Sequence, residues 1–160
     1  MSLLSSFIPV LYAQISPDRL TLRNARTGEA ISEIPEMAIG AKSTIVGVGA
    51  EARMRQGPAV QVVNPFAHPR SLMSDFTVGE QLLKAFVRRL LPKSIFAAAP
   101  KIVIHPLGEP AGGLTQVEIR ALREMALGAG ASKVVVWEGA PLTDQELLAG
   151  RFPATGRVLD

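Results

Sequence analysis

The stretch from Ile102 to Trp137 constrains the fold more than any other part of the chain. Ile102-Val103-Ile104 is a continuous apolar run of the kind that forms a strand covered on both faces. Thr115-x-x-Glu118 then supplies a capping box, Val117, Leu122, Met125 and Ala126 give an apolar helical stripe, and Gly128-Ala129-Gly130 is a helix stop. Val134-Val135-Val136-Trp137 predicts a second buried strand. Strand, helix, strand with short connections makes a right-handed parallel βαβ unit, which commits the chain to an α/β sheet with helices on its faces.

Upstream residues add to that sheet. Pro9 to Ile15 predict a buried first strand. Leu20 and Leu22 alternate with Thr21 and Arg23, Thr27-Gly28 supplies turn chemistry, and a second alternating run surrounds Ile31 and Ile34, so an antiparallel hairpin is expected. Residues 35–74 mix short β-branched runs (43–48 and 60–63) with Gly47, Gly49, Gly57, Pro58, Pro65 and Pro69. This reads as a small, loop-rich insertion with a helical turn at 50–55.

Residues 74–91 predict the clearest helix, with Leu82, Leu83, Phe86, Val87, Leu90 and Leu91 on one broad face and Pro92 as its stop. Thr77-x-x-Glu80 resembles a capping box there, with Asp75 and Ser74 as rival caps. Lys84, Arg88, Arg89 and Lys93 fall on the wet side, the pattern of a solvated helix face rather than of a phosphate patch. The chain of 160 residues has room for one domain. The fold class is therefore α/β: one lobe, residues 1–160, built on a mixed sheet of antiparallel hairpin strands plus parallel βαβ, with residues 35–74 as a small inserted subdomain. Residues 151–160 form a tail; from Phe152 on, with Pro153 and Gly156, it is expected to fray or to cross to a neighbour.

Composition removes whole classes of function. With 48% hydrophobic and 19% charged residues the chain buries a real core, and a net charge of +3 is too small to mark a nucleic-acid binder. The absence of cysteine excludes thiolate zinc sites, iron–sulfur clusters, disulfides and Cys nucleophiles. The first thirteen residues carry no charge, but the first basic residue is Arg19, and the apolar run falls short of the ~20 residues of a spanning helix. Leu3, Leu4, Phe7 and Ile8 lie at helical spacing, so Met1 to Leu11 offers at most a weak interfacial membrane contact.

Candidate chemistry is sparse. His68 and His105 have no partner at a metal-ligand spacing. His105 falls at the C-terminal end of a buried strand, where α/β proteins place ligands; its competing role is a bond to a loop carbonyl. Gly108-Glu109-Pro110-Ala111-Gly112-Gly113 precedes a helix N-terminus but lacks the Gly-Lys-Ser/Thr of a phosphate loop, and Glu109 repels phosphate. Glu138 reads as a strand-end carboxylate rather than a general base.

Several local strings carry a family resemblance. The stretch Leu114 to Ala131 (LTQVEIRALREMALGAGA) is similar to the A-T-Q-V-E-R-R-A-I-R-E-S-A-x-G-A-G-A helix of the MreB family, the bacterial actin-like rod-shape proteins. Ser74-Asp75-Phe76 with Glu80 resembles that family's A-D-F…E-x-M-L helix, and Lys101 to Pro106 its R-V-L-V-C-V-P strand. Residues 35–39 and 46–57 resemble its E-P-S-V-V-A-I and V-G-x-x-A-K-x-M-x-G-R-T-P segments. The likeness runs over roughly Leu11 to Gly150, with a longer loop between Pro106 and Thr115 here.

The resemblance implies a ribonuclease-H/actin-like lobe, namely the first half of a protein that binds ATP between two halves. The second half, with its phosphate hairpin and most of the adenine pocket, has no counterpart in this sequence. The family's I-D-L-G-T-A-N hairpin is matched by Ala13-Gln14-Ile15-Ser16-Pro17-Asp18-Arg19. Gln14 lacks the charge that a hydrated magnesium ion wants, and Pro17 lacks an N–H donor. The family's E-E-P, whose second Glu orients the attacking water, is matched by Glu138-Gly139-Ala140. No catalytic, cofactor-binding or metal residue carries over, and no cofactor is expected. The expected protein is a non-enzymatic, cytoplasmic half-domain working in cell shape or an actin-like cytoskeleton, at the inner face of the membrane in one version. Its expected partner is itself or an actin-like filament protein, and not nucleic acid. Two other readings stand beside it: an ATPase completed by pairing two chains, with the 106–115 loop as phosphate cradle, and a membrane-associated scaffold held by the apolar N-terminus.

Overall fold

A computed structural model describes residues 8–68, 71–92, 97–108 and 113–159. In chain order the elements are β1 (Val10–Ile15), β2 (Leu20–Asn24), β3 (Ala30–Glu33), β4 (Met37–Ile39), β5 (Ile45–Val48), β6 (Gln61–Val63), α1 (Phe76–Leu90), β7 (Lys101–Pro106), α2 (Gln116–Gly128), β8 (Lys133–Glu138), α3 (Asp144–Ala149) and β9 (Arg157–Leu159). Six strands form one sheet in the order β3-β2-β1-β7-β8-β9, and β5-β4-β6 form a second, smaller one. The hairpin pairs are antiparallel, whereas β1–β7 and β7–β8 are parallel, so the sheet is mixed as expected.

Local chemistry sets the helix boundaries. Thr115 and Glu118 close a reciprocal capping box at the start of α2, and each such cap contributes about 1 kcal/mol. At α1 the rival cap wins: the Asp75 carboxylate accepts from the Val78 N–H, two residues ahead of the Thr77-x-x-Glu80 pattern. Helix α3 has its own box, Thr143 with Glu146, and ends on Gly150 in the left-handed conformation at φ 65°. Glycine reaches that conformation without the steric penalty of a Cβ.

Because strand side chains alternate, the six-stranded sheet has two distinct faces. Leu11, Ala13, Ile15, Ile102, Ile104 and Val136 point to one, where α1 and α2 cover them with Leu82, Leu83, Phe86, Leu122 and Met125. Val10, Tyr12, Val103, Val135 and Trp137 point to the other, which is covered by Leu142, Leu147 of α3 and Phe152. The second cover is a thin one, a six-residue helix and its flanking loops.

The small sheet is tied to the large one by charged side chains. Glu36, 4% exposed, receives a bidentate Arg53 guanidinium at 2.7–3.0 Å. Arg89 of α1 pairs with Glu33 of β3 at 2.9 Å and donates to the Val48 carbonyl of β5 at 3.1 Å. Arg89 therefore joins α1 to both sheets, while Arg88 beside it stays exposed. Lys93, the last of the basic residues grouped with them by sequence, lies outside the described residues.

The C-terminal tail departs from expectation. Rather than fraying or leaving the chain, Arg157–Leu159 pair antiparallel with Val136–Glu138, extending the sheet by one strand. Arg123 of α2 donates to the carbonyls of Val134 and Leu159, at 3.2 and 3.1 Å, and so closes the end of that ladder. At the opposite rim, Arg19 donates to the Ser32 carbonyl of β3 at 3.1 Å.

Candidate functional site

The resemblance directs attention to the C-terminal ends of β1, β7 and β8, the usual ligand position of an open α/β sheet. The turn after β1 uses its polar groups internally. The Ser16 N–H donates to the Arg19 carbonyl at 3.0 Å, and the Arg19 N–H returns to the Ser16 carbonyl and hydroxyl at 3.3 and 3.1 Å. Pro17 between them has no N–H, and its carbonyl accepts from the Asn64 side chain at 2.7 Å. An anion arriving at this turn would have to break bonds that already exist.

At the end of β8 the space is occupied by tryptophan. The Trp137 indole N–H donates to the Ala140 carbonyl at 2.9 Å, which folds the ring back under its own strand end. A Cβ placed on Gly139 would stand 2.6 Å from Trp137 Cζ2 and 3.0 Å from the Gly156 Cα. A Cβ on Gly156 would stand 2.5 Å from the same ring. Two glycine backbones thus press on the indole, and Phe152 packs against it with ring centroids 5.6 Å apart. Glu138, next in line, pairs with Arg157 at 2.6 Å and helps hold β9.

His105 is brought into this cluster in a way that no local signal foretold. It is 2% exposed and its Nδ1 is hydrogen-bonded to the hydroxyl of Tyr12, 93 residues away in the chain. The Gly139 backbone acts on the same ring electrostatically. The Tyr12 oxygen in turn accepts the Leu142 N–H at 3.2 Å. The hydrogen-bond partner of His105 is thus the Tyr12 hydroxyl of the neighbouring strand. Burial pushes the imidazole below its ordinary value of 6.5, opposed by the Gly139 carbonyl. Burial also raises the Tyr12 phenol, opposed by the Leu142 N–H, the Arg23 charge and the Gln14 side chain.

Gln14 therefore neighbours Tyr12 in this polar cluster. His68 lies exposed in the segment before α1, and residues 109–112 of the glycine-rich loop are outside the described residues. Among the described residues no three His, Asp or Glu side chains are grouped as metal ligands. What the strand ends can do chemically is limited to positioning: an uncharged Tyr–His chain, a buried indole and a closed turn. Sequence reasoning missed the parts of α3 in this arrangement, although Thr143-x-x-Glu146 followed by Leu147 and Gly150 is a complete helix signature.

Comparison with known proteins fits this geometry into a family. The profile of the MreB/Mbl protein family matches residues 27–143. The cell shape-determining protein MreB of Haemophilus influenzae is 30% identical over 112 residues, covering 68% of this chain and 30% of that protein. MreB of Pasteurella multocida is 31% identical over 102 residues, 62% of this chain and 27% of its own length. An uncharacterized Escherichia coli protein, YjaA, is 33% identical over 93 residues, 52% of this chain and 73% of that protein. Among solved structures, MreB5 of Spiroplasma citri bound to AMPPNP superposes with a TM-score of 0.65 at 18% identity, over 81% of this chain and 38% of that one. A non-polymerising MamK mutant bound to AMPPNP gives 0.65 at 18% identity, over 81% and 40%. The chain spans under a third of the length of the MreB relatives it matches. The fold is actin-like, and with the profile covering most of its residues the chain belongs to the MreB/Mbl family.

Proposed function

We propose that this chain is a non-enzymatic member of the MreB/Mbl family that acts through protein–protein contacts, in the cytoplasm, on cell shape or an actin-like cytoskeleton. The observation that carries the reading is the Trp137 indole, which fills the place where a side chain at Gly139 would begin. The family's water-orienting carboxylate is thus missing in kind and its space is taken. The closed Ser16–Arg19 turn and the uncharged Gln14 point the same way from the other side of the would-be cleft.

Self-association, or contact with a filament-forming relative, follows as the mode of action. A solved structural neighbour, MamK, is described as a double helical filament. We read residues 35–74 as a small inserted subdomain, built on β4, β5 and β6, on which Ile45 and Met54 are exposed at 43% and 82%. Among the described residues no helix is long and apolar enough to cross a membrane.

Calorimetric titration with Mg-ATP tests the first half of the proposal, and no heat is expected at millimolar nucleotide. Saturable heat, or ordered nucleotide and magnesium beside Gln14 and Gly139 in a crystal, would overturn it in favour of an ATPase completed by a second chain. Sedimentation tests the second half: an oligomer, or co-pelleting with filaments of a full-length relative, is expected at high micromolar concentration. A clean monomer that ignores such filaments would end the contact reading.

A further inference from the structure

Met54 is the most exposed large apolar side chain among the described residues, and two anchors hold it there. It belongs to a pair of short 3-10 turns, Gly49–Glu51 and Arg53–Arg55, that lie between β5 and β6. Ala52 between the turns is fully buried, and a Cβ on Gly47 of β5 would stand 3.2 Å from its Cα. Before Met54, Arg53 grips the buried Glu36 through its bidentate guanidinium. After it, the stem of Arg55 lies along Gly47, with Cγ 3.1 Å from where that Cβ would begin. Met54 therefore projects from a backbone fastened on both sides, an adaptable apolar knob held ready for a partner. The Arg55 guanidinium beside it forms no ion pair among the described residues.

A matching hollow lies on the other face of the same small sheet. Residues paired across the strands share a face, so Ala38, Gly47 and Val62 point toward the 3-10 turns, while Met37, Ile39 and Ile45 point away from them. With Val78 and Gln81 of α1 and its cap Asp75, these last three line a groove of about 350 Å³. Ile45 at its rim is exposed. One Asp75 oxygen accepts the Val78 N–H at 3.1 Å, and the other makes no hydrogen bond among the described residues. Apolar walls beside a carboxylate complement an apolar knob beside a cation.

We propose that a second copy of this chain occupies the groove, its Met54 packing against Ile39 and Ile45 and its Arg55 pairing with Asp75. The inference rests on the self-association reading above and gives it a direction. Knob and groove stand on opposite faces of one three-stranded sheet, so two copies cannot exchange both contacts at once. The contact is head to tail, leaving a free knob at one end and a free groove at the other, and growth is open-ended. With one methionine and one ion pair at its centre it is a small contact, weak and reversible.

Sedimentation velocity from low to high micromolar concentration tests the contact. In the wild type the mean mass is expected to climb steadily, with no plateau at the dimer. Met54→Glu sets a carboxylate against Asp75, and Ile45→Glu puts one in the groove wall, so each alone should weaken association at least about tenfold. Mixed together the two variants should form dimers that grow no further, because Met54→Glu keeps its groove and Ile45→Glu keeps its knob. A mixture that stays monomeric refutes the pairing. Variants that associate as the wild type does refute it too, while leaving self-association standing through another surface. A wild type that stays monomeric overturns self-association and this contact with it. Should either variant lose its helical circular dichroism, the Met54 methyl signal of the wild type decides by NMR: a shift on concentration that reverses on dilution supports the contact, and a signal indifferent to concentration refutes it.

Discussion

Trp137 and Gly139 compete for one volume: the indole edge lies 2.6 Å from where a Cβ on Gly139 would sit. Replacing the glycine by the family's glutamate cannot therefore rebuild a water-orienting group without first expelling the ring. Gly139→Glu is expected to lower stability by about 2 kcal/mol or more, the penalty of overpacking a filled site, and to show no calorimetric signal with Mg-ATP. Urea unfolding that matches the wild type would show that the indole yields easily and that the site is less closed than its geometry implies.

Arg123 is the side chain of α2 that reaches the last strand. It supplies hydrogen bonds to the Val134 and Leu159 carbonyls at the end of the β8–β9 ladder. Arg123→Ala is expected to lose about 1–2 kcal/mol, typical of charge-assisted bonds to partly buried carbonyls. Amide exchange should rise in β9 and along the outer edge of β8 while β1 and β7 remain protected, and a uniform change across the sheet would contradict the assignment.

Lys101 and Lys133 stand opposite each other at the first positions of β7 and β8. Burial lowers the Lys101 ammonium below its ordinary value, and the Lys133 charge lowers it further. The unfolded chain thus binds the proton more tightly than the folded one, so stability rises with pH across the window that ends at 10.5. Lys133→Glu turns repulsion into attraction and should stabilise by about 0.2–1 kcal/mol, toward the lower end because Lys133 reaches water. It should also flatten the alkaline rise in melting temperature; a lower melting point at pH 7 would count against the pair.

Thr143 holds α3 through its hydroxyl, which accepts the Glu146 N–H at 3.1 Å. Thr143→Ala is expected to cost about 1 kcal/mol, confined to α3 and the segment beside it. The measurement is exchange at Glu146 and Leu147 against that of α2, and equal loosening of both helices would refute a local cap.

What the sequence disclosed and what it hid divide along the range of the interactions. The hairpin at Thr27-Gly28, the Thr115 capping box and the strand-helix-strand run depend on neighbours within a few residues, and each was legible. The three-residue strand β4 was not, because Met37 and Ala38 gain their place only from β5 and β6 on either side. Strand β9 escaped for the same reason: Val158 has no strand signal of its own and is ordered by Trp137 opposite it. The missing carboxylate at Gly139 was readable by family resemblance, but the indole filling its space was not, since nothing local ties Trp137 to Gly156. Tyr12 and His105 meet only once the parallel β1–β7 register is set, and neither residue announces the other.

The two guanidinium groups on the rims of the large sheet have a consequence for how copies of this protein can assemble. Arg19 holds the Ser32 carbonyl on one margin, and Arg123 holds those of Val134 and Leu159 on the other. A foreign strand aligning sideways would find these acceptors engaged and a cation in its path. Ribbon-like growth from chain to chain is thereby discouraged at these points, which leaves the flanks of the molecule less guarded than its margins.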